Sequence, residues 1–286
     1  MEANAIDPVE FREGQKASWD DASVGWKKWS SWLDGYTLVV SERLVELAGV
    51  EPGSHVLDVA AGYGEPALTA ARQAGPEGRV VATDISEGML AYGRERAAER
   101  GLGNVEFMVA DASSLDFPKE SFDAAVSRWG IIFEPDGEGT AGRIRSFLKP
   151  GSRMAISSWG VPERSPMIAR PMKTVLELLD APPPPPGTPG PLSRPTPEAI
   201  GGLLQGGGFS DIEVEDLEIT FEWSSPEEFS GYIKDIVAPI NKLLETQPED
   251  VQERAWQAIA DDVRGDADAD GTLRLANQVL LAAGSA

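Results

Sequence analysis

Three aspartates stand where an acidic side chain can grip a ligand: Asp58, Asp84 and Asp111. Asp58 lies inside the apolar run HVLDVAA (55–61), just ahead of Gly62, Tyr63 and Gly64. Asp84 closes the run RVVATDI (79–85), 22 residues after Gly62, and Asp111 closes NVEFMVAD (104–111), followed by Ala112 and Ser113. A Gly-x-Gly turn between a strand and a helix lets backbone approach a ligand closely, at a helix N-terminus that favours negative charge. A carboxylate about 20 residues beyond such a turn is placed to accept hydrogen bonds from ribose hydroxyls. A single aspartate caps a helix or opens a turn as readily as it binds anything. The ordered set, at the carboxyl ends of three successive strands, points to a ligand held there.

Dinucleotide binding is the rival reading. Gly62 and Gly64 supply the first two glycines of G-x-G-x-x-G, and Ala67 fills the last place in its permitted variant. Glu65 and Pro66 argue against it, because an anionic side chain and a missing N–H stand where a pyrophosphate needs donors. A ligand with a positive centre and an amino-acid tail suits this turn better.

Composition closes off other chemistries. The 286 residues contain no cysteine, which excludes disulfides, thiolate metal sites and thiol nucleophiles. The one histidine, His55, opens an apolar strand and reads as structural, and no metal site is expected. The segment GDADADG (265–271) looks like an acidic calcium loop, but it lacks the flanking helices and the glutamate that closes such loops. A net charge of −22 repels polyanions, so nucleic acid is not an expected partner. No apolar run reaches the roughly 20 residues of a membrane span. The start, MEANAIDPVEFREGQK, lacks the features of a secretory signal, and a cytoplasmic location is expected.

The elements that must position the aspartates follow from the apolar pattern. Runs at 55–61, 79–85, 104–111, 121–130 and 152–159 alternate with helical stretches, which predicts βαβ units and a parallel sheet. Ser86 is the expected N-cap of the helix after the second run. Residues 9–49 read as helices carrying Trp19, Trp26, Trp29 and Trp32, with Trp19 and Trp26 nearly on one face. They suit both a buried packing face and an aromatic lid over a substrate. A proline-rich connector (181–197) precedes a strand at 211–223; 225–263 reads as two helices broken near Gln247 and Pro248, and 277–284 as a last strand.

With these residues in view, LDVAAGYGEPAL, VVATDISEGML, NVEFMVADASSLDFPKESFDAAVSRWGIIF and LKPGSRMAISSWG resemble the motifs of class I S-adenosylmethionine-dependent methyltransferases. Within them the sequence is most similar to the ubiquinone/menaquinone-biosynthesis C-methyltransferase-like group. The resemblance implies an α/β, Rossmann-like, seven-stranded and mostly parallel sheet of order 3-2-1-4-5-7-6 with the last strand antiparallel and a helical cap. It also implies a division into an N-terminal helical lid (1–50), a cofactor-binding core (51–160), a connector with strand six (161–224), a helical cap (225–270) and a closing strand (271–286).

The implied cofactor is S-adenosylmethionine. Asp58, Ala60, Gly62 and Gly64 would line its methionine end, and Asp84 would hold the ribose. Ile85 and Met89 would face the adenine, Asp111 and Ala112 would contact its edge, and Ser127 would lie near the sulfonium. Ala60 and Tyr63 depart from the glycine and small residue frequent in the family; Ala60 is accommodated if its φ is negative, and Tyr63 shapes the pocket. Candidate catalytic residues are Arg128, Trp129 and Tyr36, with Trp19 and Trp26 as a substrate lid. The expected reaction is methyl transfer to C or O of a small, moderately apolar molecule. The alternatives are a non-methylating rearrangement or cyclisation, or ligand binding without catalysis.

Overall fold

The runs of Val, Ile and Leu that alternate with helical stretches form seven strands of one sheet. In a computed structural model, which describes residues 8–185 and 187–286, these are β1 (His55–Val59), β2 (Arg79–Asp84), β3 (Val105–Val109), β4 (Phe122–Arg128), β5 (Leu148–Trp159), β6 (Ser210–Trp223) and β7 (Leu273–Ser285). Their order is β3-β2-β1-β4-β5-β7-β6, with β7 antiparallel to both of its neighbours. This is the expected order. The central strands β1, β2 and β4 are buried on both faces, which is why they read as continuous apolar runs rather than alternating ones.

Helices cover both faces. A single helix α1 (Pro8–Leu47), α2 (Ala67–Ala74) and α3 (Glu87–Glu99) precede β3; α4 (Gly137–Phe147) leads into β5; α5 (Pro166–Leu178) and α6 (Pro197–Gly206) precede β6. One apolar layer joins Val56, Val126 and Phe221 to Leu44 of α1 and to α2 and α5. The other joins Leu57, Ala125 and Ile156 to Ile144 of α4 and Leu203 of α6. The first part of the expected lid, residues 1–7, lies outside the described residues.

Between β6 and β7 the structure has three helices rather than two: α7 (Pro226–Ile236), α8 (Ala238–Leu244) and α9 (Glu249–Val263). The extra break falls at Val237, because Pro239 in the first turn of α8 cannot donate to a continuing helix. The carbonyl of Asp235 is approached instead by Gly25 of α1, where a Cβ would lie 1.9 Å from that oxygen. The acidic segment 265–271 is a turn into β7. There Asp268 pairs with Arg274, Asp270 accepts from the Thr272 N–H, and Gly271 has φ 89°.

Candidate active site

The turn after β1 is built on positive φ angles: 58° at Ala60, 53° at Gly62 and 108° at Gly64. The expectation of a negative φ at Ala60 is therefore corrected. An alanine in this region costs about 1–2 kcal/mol, where glycine would cost nothing. Its Cβ fits because Gly130, after β4, carries none; a Cβ there would come within 2.4 Å of it. Gly64 likewise has to lack a side chain, since a Cβ would meet Leu68 at 3.1 Å.

Asp84 organises this turn. Its carboxylate accepts from the Gly62 N–H at 2.8 Å and from the Ser86 N–H at 2.9 Å. Burial pushes its carboxyl up to about 6, with those two N–H groups opposing the shift. Ser86 caps α3 as expected, accepting from the Met89 N–H at 3.1 Å. Met89 is buried against Gly62, and Ile85 is half-buried beside Asp84.

Asp58 is fully buried, and neither carboxylate oxygen completes a hydrogen bond among the described residues. Burial pushes this carboxyl well above its usual range, opposed by the nearby Ala67 amide and by the charge of Arg128. A buried, unpaired carboxylate is costly unless a cation meets it.

Asp111 caps the short turn at Ala112–Ser114, accepting from the N–H and Oγ of Ser113, both at 2.8 Å. Its other oxygen lies 3.5 Å from Arg12 Nε of α1. Beside the pair is Glu134, whose Oε2 is buried with no hydrogen-bond partner among the described residues. Burial, reinforced by the charge of Asp111 and opposed by Arg12, pushes Glu134 up to about 7.

Glu65 is held by other partners. Its carboxylate turns away from the glycine turn, accepting from Thr69 Oγ1 at 2.7 Å and from Arg100 at 2.7 Å. Only the missing N–H of Pro66 remains as an objection to a phosphate ligand there.

The tip of β4 serves mostly to hold its surroundings. Ser127 Oγ accepts from the Ile131 N–H at 3.0 Å, which fixes the turn after the strand. The buried Arg128 guanidinium runs under α1, donating to Thr37 Oγ1 (3.1 Å), Ser41 Oγ (2.9 Å) and Tyr63 OH (2.8 Å). It thus ties the strand tip to the helix and to the glycine turn. Trp129 stacks on Trp159 at the end of β5, with ring centroids 4.4 Å apart and 1° between planes, and its Nε1 is buried with no hydrogen-bond partner among the described residues.

The four tryptophans of α1 divide. Trp19 and Trp26 pack on one another and reach the core loops, Trp19 on Phe133 at 5.5 Å and Trp26 on Tyr63 at 5.7 Å. Trp29 and Trp32 join Phe221 and Trp223 of β6 and Tyr232 of α7. Tyr36 belongs to this second group, against Trp32 and Phe221, with its hydroxyl 3.5 Å from the Glu222 carbonyl. Sequence reasoning missed Arg12, Asp20, Glu134, Trp159 and Phe221; only Trp159, an aromatic residue at a strand's carboxyl end, carried a usable signal.

Three strand tips with carboxylates, a left-handed glycine turn and an overlying aromatic helix make one site. Residues 56–151 match the family described as methyltransferase domain. This third of the chain is therefore similar to a methyltransferase domain. It is 38% identical over 122 residues to the ubiquinone/menaquinone biosynthesis C-methyltransferase of Teredinibacter turnerae, covering 42% of this chain and 49% of that protein. The chain thus spans about half the length of the curated relatives it matches. Two solved structures share the fold. The [4+2]-cyclase SpnF is 22% identical with a TM-score of 0.54, covering 86% of this chain and 79% of its own. Phosphoethanolamine N-methyltransferase 2 of Haemonchus contortus, solved with S-adenosyl-L-methionine, is 22% identical with a TM-score of 0.52, covering 86% and 52%. The matched stretch runs from β1 into the first residues of β5, and α1, most of β5, β6 and the helices α7–α9 lie outside it. Among the described residues, no helix is long and apolar enough to cross a membrane.

Proposed function

We propose that this protein transfers a methyl group from S-adenosylmethionine to carbon or oxygen of a small, moderately apolar acceptor. The observation that carries the reading is Asp58, a fully buried carboxylate with no hydrogen-bond partner among the described residues, next to the glycine turn. A cationic amino-acid tail supplies the charge that Asp58 lacks, and a nicotinamide dinucleotide brings pyrophosphate instead. The donor set fits the rest of the cofactor. The Asp84 carboxylate accepts from ribose hydroxyls, Ile85 and Met89 offer apolar surface to the adenine, and Asp111 with Ala112 reads its edge.

When bound, the cofactor supplies a methyl group already activated on a sulfonium. What the chain adds is alignment and exclusion of water. Gly62 and Gly64 keep the backbone close, Arg128 and Ser127 hold the tip of β4 in place, and Trp19 and Trp26 close over the turn. The acceptor lies against Trp129 and Trp159, whose flat stacked rings favour an apolar partner. With no cysteine in the chain and His55 at the far end of β1, any proton acceptor is a carboxylate, a tyrosine or a lysine.

Incubation with methyl-labelled S-adenosylmethionine and a panel of phenols, quinones, polyketides and amines tests this. Label on carbon or oxygen of a product supports it, and label found only on amine nitrogen contradicts it. Turnover of an acceptor without label, or tight binding without turnover, contradicts it.

A further inference from the structure

The helix α1 is hydrogen-bonded directly to the loop that carries Asp84. Asp20 Oδ1 accepts from Ser86 Oγ at 2.6 Å and from the Gly88 N–H at 3.4 Å. The direction of the first bond is fixed, because a carboxylate only accepts and Ser86 Oγ already accepts from the Met89 N–H. Ser86 in turn donates its own N–H to Asp84 Oδ1, and the Gly62 N–H donates to Asp84 Oδ2. One chain of hydrogen bonds therefore runs from α1 through the cap of α3 to both sides of Asp84.

The packing around this chain is close. A Cβ on Gly88 would lie 2.9 Å from Ser23 Oγ and 3.2 Å from its Cβ, so the glycine gives α1 room to come this near. Ser23 Oγ bonds the Asp20 carbonyl at 2.7 Å, and Lys16 holds the second Asp20 oxygen at 2.6 Å. Asp20 is therefore held from its own helix and aimed at Ser86. A second contact, Arg12 with Asp111, joins the same helix to the tip of β3.

We infer that Asp20 is a positioning residue: docked on Ser86, it fixes the orientation of Asp84 and so couples the seating of α1 to retention of the cofactor ribose. The inference rests on the reading of Asp84 as the ribose acceptor. It makes α1 part of the cofactor site as well as a cover for the acceptor.

Calorimetric titration of the full chain with S-adenosylmethionine tests it, on wild type, Asp20→Ala, Asp20→Asn and Asp84→Ala. Circular dichroism confirms that each variant is folded. Asp20→Ala should weaken binding by about tenfold, the loss of one charge-assisted hydrogen bond. Asp20→Asn keeps the acceptor at the same place and should stay within about threefold of wild type. Limited proteolysis should show the cofactor protecting α1 in wild type and protecting it less in Asp20→Ala. A merely structural Asp20 would change proteolysis without changing affinity. Wild-type affinity in Asp20→Ala, or an Asp20→Asn as weak as Asp20→Ala, overturns the inference. If wild type binds no S-adenosylmethionine, the proposed function itself falls and this inference with it. If wild type binds and Asp84→Ala binds equally well, the ribose assignment alone is at fault, and the coupling through Asp84 is overturned.

Discussion

The two halves of the sheet's carboxyl edge are built from different materials. Over β1, β2 and β3 the site consists of backbone N–H groups and short carboxylates: Asp58, Asp84 and Asp111 around a turn with three positive φ angles. Over β4, β5 and β6 it consists of rings: Trp129 on Trp159, and Phe221 among Trp32, Tyr36 and Trp223. The first half is precise because backbone donors leave little freedom. The second is set by shape and apolar area, which many side-chain sets can supply. The match to a methyltransferase domain covers 56–151, which includes the first half and stops short of Trp159 and β6. Under the proposed function this difference would separate two tasks, a fixed grip on the cofactor on one side and an adaptable apolar surface for the acceptor on the other.

That contrast can be broken most forcefully on the aromatic side. Phe221 is fully buried among four aromatic rings, and Phe221→Ala should cost about 3–5 kcal/mol of stability, read by denaturant unfolding. Binding of S-adenosylmethionine by the folded fraction should hardly change. A large loss of affinity without a loss of stability would show that the halves are not separate.

On the polar side the expected effect reverses. Asp84→Ala should weaken cofactor binding by about tenfold or more in calorimetry, the loss of an ionised acceptor for the ribose. Its melting temperature should move by only a few degrees.

The third effect is in pH dependence. Asp84 and Glu134 are pushed up to about 6 and about 7 from 3.8 and 4.5, and Asp58 is also pushed up, by burial in each case. Between those values the folded protein holds more protons than the unfolded chain, so its stability falls as pH rises from about 4 to about 7. Ion-paired groups such as Glu215, held low by Arg43, act in the opposite sense, and their contribution is lost only below that range. Thermal unfolding of the cofactor-free protein should therefore occur at a higher temperature near pH 5 than near pH 8. Asp58→Asn should flatten the profile while weakening cofactor binding. A flat profile in wild type would show that the buried carboxylates do not titrate as described.

The same contrast explains what the sequence disclosed. The strands could be read from the local apolar runs, with Asp84 and Asp111 closing two of them and Asp58 standing just ahead of Gly62 and Gly64; the strand order was implied only by the family resemblance. The φ of Ala60 could not be read, because the room for its Cβ is made by Gly130, 70 positions away in the chain. Glu65 was misplaced for a similar reason. Its partner Arg100 caps the end of α3, and the pairing leaves no local pattern. Periodicity put Trp19 and Trp26 on one face of α1, but nothing local could send Trp29 and Trp32 to β6 and α7. The aromatic half draws on residues 32, 129, 159 and 221, so no window of sequence contains it. Asp20 was hidden because its role depends on a docking contact with Ser86 across 66 residues.

The most direct test of the central claim is a crystal structure of the full chain with S-adenosylhomocysteine. The account predicts the ribose hydroxyls on Asp84, the amino-acid tail toward Asp58 and the adenine between Met89 and Ala112. Density for the nucleoside elsewhere, or these strand tips bare at saturating ligand, would contradict it.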